Sequence, residues 1–117
     1  MSSWTYHDYR KSIEHDVTQG IEQLGFNVDQ SIGYANNELL LRLDEFPAEN
    51  VMALTALAVA ANQRGSLSSY ARDDELYEDL VRAYASGEHL AIADSLDAAQ
   101  KQEFLRDVGV VSRILGI

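Results

Sequence analysis

Val51-Met52-Ala53-Leu54-Thr55-Ala56-Leu57-Ala58-Val59-Ala60-Ala61 is apolar at every position except Thr55. It contains no Gly or Pro, and Ala and Leu are strong helix formers. A helix that is apolar on nearly every side is one surrounded by other helices. The run is far shorter than the ~20 residues a membrane span needs. Just upstream stands Pro47, the chain's one proline. Proline suits a first helical position, because its missing amide would be unpaired there. Glu49 favours the same start through the helix dipole. Gly65 is the matching stop signal. The spacing therefore predicts a central buried helix from Pro47 to about Gly65.

Upstream, Thr5-x-x-Asp8 is close to a capping box. Tyr6, Tyr9, Ile13, Val17, Ile21 and Leu24 then recur at three- and four-residue steps, forming one apolar stripe. Gly20 lies inside it and costs about 1 kcal/mol relative to Ala, marking a potential bend or break. Gly25 is a stop signal. Trp4, Tyr6 and Tyr9 read as the cap of the core, with an exposed aromatic anchor as the alternative. Asn27 with Gln30 reads as the next cap. Val28, Ile32, Ala35, Leu39 and Leu43 carry a second stripe, widened by Leu40 and Leu41.

Downstream, Ser68 or Ser69 opens a fourth helix whose stripe is Leu76, Leu80 and Tyr84, with Tyr77 and Val81 beside it; Gly87 ends it. Glu88–Asp94 suits a short helix. Asp97-x-x-Gln100 caps the last one, with Phe104, Leu105, Val108, Val111, Ile114 and Leu115 as its apolar face. The end, Val110 to Ile117, holds more apolar residues than one stripe accounts for, so it either packs fully or presents a contact surface. No strand pattern of useful length alternates. The expectation is a single all-α domain over residues 1–117, a small bundle of five to six short helices. A chain of 117 residues buries roughly two-thirds of its unfolded surface, enough for a core without staples.

Chemistry is sparse. There is no cysteine, which excludes disulfides and Cys-based zinc sites and fits a reducing cytoplasm. The start, Met1-Ser2-Ser3-Trp4, has no basic region followed by an apolar run, so no secretory signal is read there. His7, His15 and His89 are the only histidines. His7 and His15 are about two helical turns apart, too wide to share a metal unaided, so they read as surface or half-buried side chains. Glu-x-x-His, as di-iron bundles require, is absent: Val17, Gly25 and Leu41 stand three residues after Glu14, Glu22 and Glu38. Gly-x-Ser-x-Gly and P-loop patterns are absent too. No catalytic residue, metal or cofactor is expected, and the chain reads as a non-enzyme.

Charge is the strongest remaining signal. Nineteen Asp and Glu stand against nine Lys and Arg, a net charge of −10. Between Lys11 and Arg64 the only base is Arg42. Such a balance argues against nucleic acid and against anionic membranes, whose phosphates need Lys and Arg. It favours a basic protein partner. Two acidic patches are candidate partner-binding sites: Asp73, Asp74, Glu75, Glu78 and Asp79, and Asp44, Glu45 and Glu49 around the turn before Pro47. The plain alternative is a solvated face. On a helix Asp74 with Glu78, and Glu75 with Asp79, are like-charge pairs that each cost about 0.2–0.5 kcal/mol. Glu78 with Arg82 offsets part of this.

Trp4-Thr5-Tyr6 opening an acidic amphipathic helix resembles the third numbered family of bacterial polymorphic-toxin immunity proteins. Also similar are the mid-helix glycine in His15-Asp16-Val17-Thr18-Gln19-Gly20, the apolar third helix ending in Gly65-Ser66-Leu67, and Glu78-Asp79-Leu80-Val81 running into the Gly87 turn before a last helix capped at Asp97. The likeness covers roughly Trp4 to Leu115. It implies a mostly helical cytoplasmic protein that binds a cognate toxin domain, covers its active site and performs no reaction. The acidity points to a basic, nucleic-acid-acting toxin. The matched residues are structural positions, so the resemblance carries over no binding residue. Two rivals share some features: an acidic nucleic-acid mimic that inhibits a DNA- or RNA-binding protein, and a small helical enzyme or ligand-binding bundle.

Overall fold

The computed structural model describes residues 5–42, 47–64 and 75–116; within them, residues 36, 37, 39–42, 47–50, 75–77 and 79 are described as backbone only. Among the described residues the protein is an all-α bundle of six helices: α1 (Tyr6–Glu22), α2 (Val28–Arg42), α3 (Pro47–Gln63), α4 (Glu75–Ser86), α5 (Glu88–Asp94) and α6 (Ala98–Leu115).

The helix starts follow local side-chain chemistry. Thr5 Oγ1 accepts from the Asp8 amide (3.3 Å) and Asp8 Oδ2 accepts from the Thr5 amide (2.9 Å), a complete capping box. The bonds from Thr5 hold the exposed Asp8 carboxyl below its ordinary range. Asn27 and Gln30 exchange the same two bonds at the start of α2, at 2.8 and 3.0 Å. Asp97 Oδ1 accepts from the Gln100 amide (2.9 Å) before α6. These side chains satisfy amides that the helix leaves unpaired. Pro47 is the first residue of α3, where its missing N–H costs nothing. Gly25 and Gly87 both adopt positive φ (71° and 83°) between helices, a conformation glycine enters without steric cost. The expected openers Ser68 and Ser69 and the expected stop Gly65 lie outside the described residues, as does Trp4.

The core surrounds α3. Every residue from Val51 to Ala61 is buried, and α3 packs against each of the other five helices. The polar exception, Thr55, is fully buried and shares a 2.6 Å hydrogen bond with the Tyr84 hydroxyl of α4. Onto this rod pack Tyr6, Tyr9, Ile13 and Val17 of α1, Ile32 and Ala35 of α2, Leu80, Ala83 and Tyr84 of α4, Ile92 and Ala93 of α5, and Phe104, Val108 and Val111 of α6. Tyr6 and Phe104 meet edge to face with centroids 5.0 Å apart. The side chains of Leu39, Leu40, Leu41, Leu43, Leu76 and Tyr77 lie outside the description.

Two expectations need correction. Helix α1 is not broken at Gly20 but runs on to Glu22. Its glycine serves a close approach: a Cβ there would stand 2.8 Å from Ser31 Oγ and 3.1 Å from Ser31 Cβ on α2. The apolar stripes also outrun the core. Ile21, Leu24 and Ile114 are exposed by 37, 47 and 38 %. Leu24 stands in the turn after α1, which ends at Glu22, and Ile21 and Ile114 lie in the last turns of their helices; periodicity marks a face but not whether a neighbour covers it.

Candidate functional site

The two predicted acidic patches are placed only in part. Asp44, Glu45, Asp73 and Asp74 lie outside the described residues. Glu49 falls in the first turn of α3, and Glu75 and Asp79 fall on α4, with their side chains outside the description. Glu78 is exposed on α4.

Elsewhere the charges are organised by the bases. At the junction of α1 and α6, the Tyr6 hydroxyl donates to Asp107 Oδ2 at 2.6 Å. Arg10 Nη1 lies 3.4 Å from the same oxygen and 3.5 Å from Glu103 Oε1. His7 Nδ1 is 3.4 Å from Glu103 Oε1, the His7 amide donates to Gln100 Oε1 at 3.1 Å, and Arg106 Nε stands 3.7 Å from Asp107 Oδ1. Asp107 is only 4 % exposed. A buried carboxylate is costly unless paired and hydrogen-bonded, and these partners meet that need. Burial, and next the bond to Asp107, push the Tyr6 hydroxyl far above the ordinary tyrosine range. Tyr6 and Arg10 are already bound to the buried carboxylate, so the cluster fastens α1 to α6.

Helices α1 and α3 are joined by Arg64. Its Nη2 and Nη1 reach Glu14 Oε2 and Oε1 at 2.7 and 3.2 Å, and Nη1 also donates to the Ala60 carbonyl at 3.1 Å. This two-point geometry is the strong form of an Arg–carboxylate pair. Lys101 Nζ lies 3.0 Å from Asp94 Oδ1. Arg10, Arg64, Lys101 and Arg106 are thus all engaged with carboxylates of their own chain. Glu22, Asp29, Glu78 and Glu88 stand exposed.

The reading missed the buried acids Asp16 and Asp107. A signal existed: Asp107 stands among Phe104, Val108 and Val111 on one stripe, and Asp16 among Ile13, Val17 and Gly20. An acid on an apolar stripe announces an internal partner.

A shallow groove of about 200 Å³ opens between α4, α5 and α6, lined by Tyr84, Ala85, His89 and Ser112. The Tyr84 and His89 rings are 5.1 Å apart and tilted by 60°. His89 Nδ1 is shielded, with no hydrogen-bond partner among the described residues. Burial outweighs the bond from Thr55 and pushes the Tyr84 hydroxyl up to about 12. His7 and His15 are exposed and His89 is half-buried, as the sequence reading expects. Among the described residues no three His, Asp or Glu gather to hold a metal, and no described helix is long and apolar enough to cross a membrane.

Comparison with protein-family models, with curated proteins and with solved structures finds no match to this chain.

Proposed function

We propose that this protein is an immunity protein: it binds one cognate bacterial toxin domain, a basic and nucleic-acid-acting one, and neutralises it by covering its active site without catalysing a reaction itself. The observation that carries this reading is the division of charge. The chain has an excess of ten acids, and four of its bases are engaged internally, by Glu103 and Asp107 (Arg10), Glu14 (Arg64), Asp94 (Lys101) and Asp107 (Arg106). Lys11, Arg82, Arg106 and Arg113 are exposed, but acids outnumber bases by ten, so the charge offered to a partner is negative on balance. Such a field speeds encounter with a cationic protein and repels nucleic acid. It also matches the Lys and Arg that a nucleic-acid-acting toxin presents to phosphates. A standard interface of about 1,600 Å² in total is within the reach of a molecule this size.

The test is binding and rescue with any basic, toxin-like domain that the reading frames neighbouring this gene encode; a neighbourhood that encodes none counts against the reading. The protein is expected to form a stable complex with it, to block its activity and to bind less tightly as salt rises, since exposed charges are screened. Replacing Asp74, Glu75, Glu78 and Asp79 by Lys is expected to weaken the complex with the helical circular-dichroism signal retained. Absence of any complex, or turnover of a substrate by the purified protein alone, would overturn the reading.

A further inference from the structure

We infer that the corner where α1 turns into α2 is the face that docks the basic partner, with Ile21 and Leu24 as its apolar anchors; this rests on the function proposed above. The buried stripe of α1 ends at Val17, and the next two members, Ile21 and Leu24, turn to solvent at 37 and 47 % exposure. Singly exposed apolar residues are ordinary. Two residues after Leu24 stands Phe26, whose ring meets that of Tyr34 edge to face at 6.0 Å, both half-buried.

The corner is firmly built. The Phe26 amide donates to the Gly20 carbonyl at 2.9 Å, and Phe26 Cδ2 would stand 3.4 Å from a Cβ on Gly20. The Asn27–Gln30 exchange fixes the start of α2. Binding to a surface already ordered in this way loses little conformational freedom.

Its charge identifies the occupant. No Lys or Arg occurs between Lys11 and Arg42, whereas Glu14, Asp16, Glu22, Asp29 and Glu38 do. Glu14 is bound to Arg64 and Asp16 is buried; Glu22, next to Ile21 in the chain, and Asp29, in the first turn of α2, are exposed. An apolar centre with a polar rim is the ordinary anatomy of a protein interface. A rim this acidic selects a partner with apolar side chains set among Lys and Arg. The corner supplies the centre of that interface, where a few residues carry most of the affinity.

The experiment takes a basic, toxin-like domain found in a neighbouring reading frame, expresses and purifies it, and titrates it against this chain and three variants by calorimetry, with circular dichroism as the check on folding. I21S/L24S is expected to lose about tenfold or more in affinity with an unchanged helical signal. E22K/D29K is expected to bind more weakly chiefly through slower association. L90S, at an equally exposed leucine of α5 (54 %), is expected to stay within about twofold, as a contact outside the interface does. If the parent chain binds and I21S/L24S binds equally well, the corner is not the docking face while the immunity reading stands. If the parent chain fails to bind, the proposed function falls and the corner falls with it.

Discussion

Gly20→Ala tests the tightest helix contact in the fold. On helix propensity alone, alanine gains up to about 1 kcal/mol over glycine. In place, its Cβ meets Ser31 Oγ at 2.8 Å, Ser31 Cβ at 3.1 Å and Phe26 Cδ2 at 3.4 Å. The first distance is inside van der Waals contact, and Ser31 is fully buried, so either the Ser31 side chain shifts within the core or α1 and α2 move apart. Overpacking of this kind costs roughly 1–3 kcal/mol. The two effects leave Gly20→Ala destabilised by on the order of 1 kcal/mol. Ser31→Ala supplies the control. Its hydroxyl is buried with no hydrogen-bond partner among the described residues, a state that carries a desolvation penalty of about 1–3 kcal/mol. Ser31→Ala alone is therefore expected to stabilise. The double variant is expected to recover part of the Gly20→Ala loss, because the 2.8 Å neighbour is gone and only the 3.1 Å one remains. Urea unfolding followed by circular dichroism gives the four midpoints, and their non-additivity is the coupling between the two residues. A Gly20→Ala protein more stable than the parent, or two substitutions that simply add, would refute the close approach of α1 and α2 at this point.

Thr55→Val and Tyr84→Phe are each expected to cost about 1–3 kcal/mol in thermal or urea unfolding, because each leaves a buried hydroxyl of the 2.6 Å pair unpaired. The double variant is expected to cost less than the sum. Alkaline titration is expected to separate Tyr6 and Tyr84 from ordinary tyrosines. Both are held above the usual value of 10, Tyr84 at about 12. The folded state thus keeps protons that the unfolded chain has lost, and stability falls as pH rises from 10 to 12, by up to about 1.4 kcal/mol per pH unit for Tyr84. Tyrosinate absorbance that tracks loss of helix supports this. Full ionisation of every tyrosine near pH 10 with the helices intact contradicts it.

Local chemistry was the legible part of the fold. Each helix start set by a side chain and an amide three residues on was readable: Thr5 with Asp8, Asn27 with Gln30, Asp97 with Gln100. So was the burial of α3, because Val51–Ala61 offers no polar face to water. The short helix Glu88–Asp94 was only weakly marked in the sequence, since no side chain caps its start. Where the stripes stop being covered was not legible. Ile13, Val17, Ile21 and Leu24 look alike in sequence, and their burial depends on whether a neighbour covers them. The pairs of Asp107 with Tyr6 and of Glu14 with Arg64 join residues 101 and 50 positions apart, a juxtaposition that only the packing creates. Gly20 was read through propensity, which counts its backbone freedom and cannot see Ser31 across the helix crossing.

The corner of α1 and α2 joins stability and docking in one contact. Gly20 lets the helices approach, and Phe26 closes over the same glycine while pairing with Tyr34. Ile21, in the last turn of α1, and Leu24, in the turn after it, are exposed in a stretch of sequence that carries acids and no bases. In the proposed docking, Ile21 and Leu24 supply apolar area that yields affinity when covered, and exposed Glu22 and Asp29 supply negative charge that guides a cationic partner toward it. Arg64 contributes to the same division of labour, since its bond to Glu14 keeps a base turned inward against α3 and out of the acidic face.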